Sequence, residues 1–490
     1  MNHYLKITAL GLCLFTASSC DSIIDLKPTS VISANSFWNS EQDAQGALNG
    51  MYAQFRNFTQ AELILLGEAR SEAMSHGIQN ADYRIKYFEN TMTATNADRT
   101  WIELYKTVNL ANLVIKYVPG ISFTSEPTKN GVLAQAYAMR AFCYYVMART
   151  WGDVPISVEP VEGYNPETTF KARNPQAEVF TLIKSDIAQS LSLFANNTFP
   201  AGRSFWSKPA VNLLKADVHL WTSRRMGGDN GDAAIALEAL EDAEKSDVSL
   251  LPDFSQIFAF TNKGNKEVIF ATRFADLEAT TNFFADMYIN PSDLPASTDA
   301  DTKLAIGTPG GFNWWAPSAT LRNQFSTDDQ RRSASFVEVY RNDNGNRSFV
   351  TSVVLKAKGF VENGTRRFLD DIVIYRYADL VLLKAEAKNL LGQDPSAEVN
   401  QIRQRAYKDK YAAHTYVAGS RAENDEAILQ ERLFEFAFEG KRWWDLVRFN
   451  KAFEKVPSLK GREKDQYLLL WPLSVGTMSL NSKLTQTPGY

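Results

Sequence analysis

Apolar residues recur every three to four positions through most of this chain, and the breaks in that rhythm divide it. Ala44, Leu48, Met51, Tyr52 and Phe55 mark one face of a first helix. It begins near Ser40, a capping residue, with Glu41 and Asp43 in the first turn. Residues 59–97 are less periodic, and Gly67 to Glu72 and Gly77 to Tyr83 read as exposed loops joining short elements. Helical spacing returns from Arg99 to Val118 on Trp101, Leu104, Tyr105, Val108 and Ile115, and stops at Pro119-Gly120. A helix from Lys129 to Thr150 follows, with Leu133, Ala136, Tyr137, Ala141, Tyr144 and Ala148 on its face. Further helices are predicted at 176–194, 208–225 and 231–246. Small alanines beside large aromatics, in successive helices of similar length, predict tetratricopeptide-like stacking.

From about residue 250 the pattern changes. Lys266 to Ala271 reads as a strand. Residues 275–318 are rich in Asn, Pro, Thr, Asp and Gly, yet hold Phe283, Phe284, Tyr288, Phe312, Trp314 and Trp315. Val337 to Tyr340 and Phe349 to Leu355 read as two strands, joined through the turn residues Asn342-Asp343-Asn344-Gly345. Helix resumes at 375–391 and 396–406. Residues 425–449, DEAILQERLFEFAFEGKRWWDLVRF, then give an amphipathic helix, a cap at Gly440 and a second apolar run. The fold class that results is mainly α: a tetratricopeptide-like helical repeat scaffold with an irregular, loop-rich subdomain containing short β-strands. Its expected divisions are 1–19, 20–250, 251–370 and 371–490.

Residues 1–19 read as a processing signal. Lys6 supplies positive charge, Ile7 to Phe15 are too short an apolar run to span a bilayer, and Ala17, Ser18 and Ser19 precede Cys20. Small residues before a single cysteine resemble a bacterial lipobox, with Cys20 lipidated. Of the three cysteines only Cys143 then remains in the body, so no intrachain disulfide is expected. A net charge of −4 gives no basic excess for a nucleic-acid partner.

Seven stretches resemble the SusD-like (RagB/SusD) family, in that family's order. They are Cys20 with its lipobox, AYAMRAFCYYVMARTWGDVPI at 136–156, NKEVIFATRF at 265–274, DDIVIYRYADLVLLKAEA at 370–387, VNQIRQRA at 399–406, ERLFEFAFEGKRWWDLVRF at 431–449 and the terminal LTQTPGY. The resemblance implies a lipid-anchored outer-membrane protein that faces the cell surface and binds oligosaccharide. It also implies hand-over to a partner SusC-like TonB-dependent transporter. The matching stretches are fold-forming, so the identity of the sugar does not carry over.

Catalytic machinery is sparse. His3, His76, His219 and His414 show no metal-ligand spacing, and no phosphate loop or nucleophile elbow is present. No cofactor and no metal are expected. Asp229 with Asp232, and Asp299 with Asp301, read as solvated turns rather than calcium loops. Glu435 and Glu439 have the one-turn spacing of a carboxylate pair, but their flanking arginines favour an ion-pair network over a glycosidase acid and base.

Sugar binding needs a ring for the apolar face of a pyranose and polar groups at its edge. Trp314 and Trp315 with Asn313 are the leading candidates; Phe283, Phe284, Tyr288 and Tyr83 are secondary, with Arg70 and Asn80 as polar partners. Trp101, Trp443 and Trp444 sit in strongly periodic helices and are assigned to the core. Capture of peptide or another nutrient on the same fold, a lipid-anchored glycoside hydrolase and a helical-repeat scaffold remain the alternatives.

Overall fold

The computed structural model describes residues 37–79, 82–163 and 165–490; Cys20 and the segment read as a signal lie outside the described residues. Ser40 opens the first long helix, Glu41–Thr59, with a reciprocal cap. Its hydroxyl accepts from the Asp43 amide, and the Asp43 carboxylate accepts from the Ser40 amide at 2.8 Å. The stripe Ala44, Leu48, Met51 and Phe55 is buried, as the spacing requires.

Helices Ile102–Tyr117, Glu126–Trp151, Gln176–Leu193, Lys208–Arg225 and Asp229–Glu244 follow, each packed on its predecessor. The chain then leaves the stack and returns with Tyr377–Leu390, which packs on Asp229–Glu244 and carries Ser396–Tyr407 and Arg421–Phe436 in turn. The scaffold is therefore one tetratricopeptide-like stack with an irregular excursion between its halves. Glu126–Trp151 is its central helix. Every residue from Ala138 to Trp151 is buried, and Ala138, Ala141 and Ala148 let the neighbouring backbones approach.

Strands are few and short. The described residues form four two-stranded antiparallel ladders. Val268–Thr272 pairs with Ile372–Arg376, which ties the start of the excursion to its end. Phe336–Asp343 and Asn346–Val354 form the expected hairpin, longer than its apolar positions suggest. Asn344 and Gly345 both have positive φ, as a tight two-residue hairpin turn demands. Among the described residues no helix is long and apolar enough to cross a membrane, and Cys143 is buried and unpaired.

Residues 67–72 depart from expectation. They are the end of a helix, Glu62–Glu68, and the turn after it, and all are buried. The carboxylate of Glu68 accepts from the amides of Phe438 and Lys441 at 3.0 and 3.1 Å. Gly67 touches Gly440 so closely that a Cβ would lie 1.8 Å from its carbonyl oxygen. Gly440 itself, expected as a helix cap, lies in the turn between Arg421–Phe436 and Arg442–Arg448 with φ 70°. The polar run at 67–72 thus satisfies a turn remote in sequence, which local periodicity does not report.

Glu435 and Glu439 lie inside an ion-pair network. Glu435 meets Arg376 at 2.6 Å and Arg331 at 3.0 Å, and pairs with Arg405. Glu439 accepts from Lys356 at 2.7 Å and Arg376 at 2.8 Å. Glu267 joins through Arg376 and Arg405 at 2.8 and 2.9 Å. The network bolts the strand pair, the subdomain and the last helices together.

Candidate ligand-binding site

The strand Met74–His76 pairs with Trp315–Pro317, placing His76 opposite Trp315. Just before this ladder the backbone takes a left-handed step at Asn313, φ 47°. Asn tolerates that conformation because its side chain can bond locally, and here it is completely buried. Its Nδ2 donates to Ser352 O at 3.0 Å, and its Oδ1 accepts from Ile78 N at 2.8 Å and Thr351 Oγ1 at 2.6 Å. Gly77 lies against the same residue; a Cβ there would sit 1.9 Å from Asn313 O. The amides of Phe312, Asn313 and Trp314 are held by the carbonyls of Ala285, Tyr288 and Asp286 at 2.9, 2.6 and 2.7 Å.

With Asn313 drawn inward, its two neighbours point outward together. Phe312 and Trp314 stack at 4.8 Å and 22°. Phe312 is 42% exposed, Trp314 is half-buried, and Tyr83 nearby is 55% exposed. Arg84 joins the two loops: its Nη1 donates to Gln79 O at 2.7 Å and Trp314 O at 3.4 Å. Its guanidinium lies 4.9 Å from the Tyr83 ring centroid and 5.1 Å from that of Trp314. Asp286 stands behind. Burial pushes its carboxyl up to about 7, against the pull of Arg84. The arrangement is a partly exposed aromatic surface backed by a buried cation, suited to a flat ligand with an apolar face.

The structure separates the sequence candidates. Trp314 and Tyr83 are both partly exposed and both lie against the Arg84 guanidinium. Trp315 turns the other way and packs among Tyr87, Phe88 and Phe283 at 5.6, 5.4 and 6.0 Å. Phe283, Phe284 and Tyr288 are core, and the Tyr288 hydroxyl donates to Ile306 O. Asn313 supports the surface from beneath without reaching it. Arg70 is fully buried; it donates to Asn90 Oδ1 and Leu470 O, both at 2.7 Å, and lies 4.3 Å from the Trp443 ring. These six are corrected from ligand contacts to packing or support: the aromatics of the loop-rich region join the one continuous core of the described residues, and Arg70 is spent on a turn remote in sequence. Asn80 lies outside the described residues. Trp101, Trp443 and Trp444 are buried, as expected. Phe312, Arg84 and Asp286, which lie at this candidate surface, are not among the binding residues the sequence singles out. The signal for Phe312 was its two-residue spacing from Trp314; Arg84 and Asp286 gave none.

Comparison with known proteins gives the frame. Residues 342–490 match the family described as SusD family, and residues 24–212 match one described as "Starch-binding associating with outer membrane". The chain is similar to B. fragilis NanU, with 32% identity, a TM-score of 0.83, and coverage of 95% of this chain and 100% of that one. A SusD superfamily protein from Bacteroides vulgatus is 31% identical with a TM-score of 0.82, over 92% of this chain and 99% of that one. SusD-like protein P38 of Formosa agariphila is 26% identical over 99% of this chain and 98% of its own length. A helical stack with this excursion, matched end to end by such relatives, places the chain in the SusD-like (RagB/SusD) family.

Proposed function

We propose that the protein binds oligosaccharide at the outer membrane and passes it to a SusC-like TonB-dependent transporter without cleaving it. The observation that carries the reading is the outward Phe312–Trp314 pair, stacked at 4.8 Å over a buried Asn313. The rings and Tyr83 form the floor for a sugar face, held in place from beneath by the buried Arg84. The family description naming starch binding and outer-membrane association supports both ligand class and location. Cys20 would carry the lipid that tethers the body.

Titration of the chain from Asp21 with a panel of polysaccharides and oligosaccharides, followed by tryptophan fluorescence, tests this. Saturable binding without reducing-sugar release, weakened in Trp314→Ala, is expected. Saturable binding indifferent to that substitution moves the site elsewhere; silence across the panel, with binding to peptides, removes the carbohydrate reading.

A further inference from the structure

The helix Glu41–Thr59 presents Asn49, Tyr52 and Arg56 along one face, spaced three and four residues apart. With Phe205, Thr272, Arg273 and Glu278 this face lines a cleft of about 350 Å³. No residue of the Phe312–Trp314 platform takes part in it.

One wall is aromatic. Tyr52 and Phe205 meet edge to face at 4.7 Å and 74°. The Tyr52 hydroxyl is already engaged, donating to Gln135 Oε1 at 2.9 Å and accepting from the Trp206 amide at 2.8 Å. The ring is therefore fixed.

The other wall is charged and unbalanced. Glu278 is shared by two arginines, with Arg56 Nη2 at 2.7 Å from one carboxylate oxygen and Arg273 Nη2 at 2.8 Å from the other. Arg56 is held further by the carbonyls of Arg273 and Glu278 at 2.6 and 3.2 Å. Arg273 is 55% exposed, and Glu278 is its ion-pair partner. Asp371 also faces Arg273 but is paired with Lys263 at 2.9 Å, so three cations against two carboxylates leave one positive charge in excess, on a planar fork with donors to spare. Thr272 adds a hydroxyl, Oγ1, that has no hydrogen-bond partner among the described residues although the residue is 5% exposed. On the loop beside Glu278, Leu277 is fully exposed with φ 67°, a conformation that costs a non-glycine residue energy and that clusters at functional sites.

We propose that this cleft is a second sugar subsite, taking a ring that bears a carboxylate or sulfate, with the ring against Tyr52 and Phe205 and the anion on Arg273. The cleft lies at the small end of the ligand-pocket range, which suits one or two sugar units. The ligand class rests on the carbohydrate reading above; the site rests on none of the platform residues.

The test is saturation-transfer NMR on the chain from Asp21 with D-glucuronate, D-glucose 6-sulfate and neutral D-glucose. At least one anionic sugar is expected to bind about tenfold tighter than glucose, the scale of one charge-assisted contact; which of the two does so identifies the anion. Arg273→Ala, at an exposed position, removes the preference, and Arg273→Lys restores it in part. Trp314→Ala leaves it in place. Equal affinity for all three sugars, no binding by any of them, or a preference that survives Arg273→Ala overturns the proposal. A preference lost in Trp314→Ala overturns it too, and assigns the anion to the platform. The platform reading fails by a different result, polysaccharide affinity unchanged in Trp314→Ala, so the two are separable.

Discussion

Arg376 Nη1 lies 2.6 Å from Glu435 Oε1, and neither side chain has any exposure to solvent. Glu435 also faces Arg331 and Arg405, so its loss leaves three guanidiniums short of a counter-charge in the interior. Breaking a buried pair on one side costs about 3–5 kcal/mol, because a charge is stranded rather than an attraction merely lost. Glu435→Gln is expected to fall in that range in urea unfolding. The folded fraction should keep its ligand affinity, since this network touches no platform residue.

The same network sets an acid limit. Burial alone would raise Glu439, but Arg376, Lys356 and Lys441 hold it down to about 2. Glu435 is likewise held well below the usual range, with Arg405, Arg376 and Arg331 outweighing burial. An unfolded Glu titrates at about 4.3. Because the folded values are depressed, the stabilisation is present above about pH 4.3 and is lost as pH falls toward 2. Urea midpoints measured down this range should drop more steeply in the parent chain than in Glu439→Gln.

Much of this fold was readable, and particular residues show why the rest was not. Ala44, Leu48, Met51 and Phe55 repeat on a helical period and are buried as that period demands. The charges at 431–448 read as an ion-pair network because arginines flank the carboxylates locally. Arg70 and Glu68 gave no such sign: their partners are Leu470 and Phe438, hundreds of residues away. At the site, composition marked residues 275–318 as rich in aromatics but could not sort them. The sorting depends on the left-handed Asn313, whose bonds to Ile78, Thr351 and Ser352 join three separate segments.

Adjacent tryptophans should therefore behave oppositely. Trp314→Ala removes a surface ring and is expected to weaken glycan binding about tenfold with little change in stability. Trp315→Ala empties a site packed against Tyr87, Phe88 and Phe283, and should cost about 3–5 kcal/mol in chemical unfolding. Equal stability loss in the two variants would contradict their opposite placement.

Arg84 acts on the platform by position. Its bonds to Gln79 O and Trp314 O join the two loops that carry Tyr83 and Trp314. Arg84→Met is expected to lower glycan affinity although every ring remains. Arg84→Lys should not restore it, because a lysine ammonium lacks the planar fork that lies between the rings. Full recovery with lysine would show that only the charge matters.

Asp370 offers a pH dependence of the opposite sign to Glu439. It is 1% exposed, and no cation forms a close ion pair with its carboxylate among the described residues. Burial pushes the carboxyl up to about 7, against the pull of the Gly359 amide and the Lys263 ammonium. An unfolded Asp titrates at about 3.9, so between those values the folded chain holds the extra proton and stability falls as pH rises. Asp370→Asn removes the titration. Its stability relative to the parent should rise from about pH 4 to pH 8, by up to about 4 kcal/mol, since each unit between the unfolded and folded values is worth about 1.4 kcal/mol. Unfolding curves at the two ends of that range give the comparison. A constant difference would mean that Asp370 is ionised throughout and that a partner holds its charge.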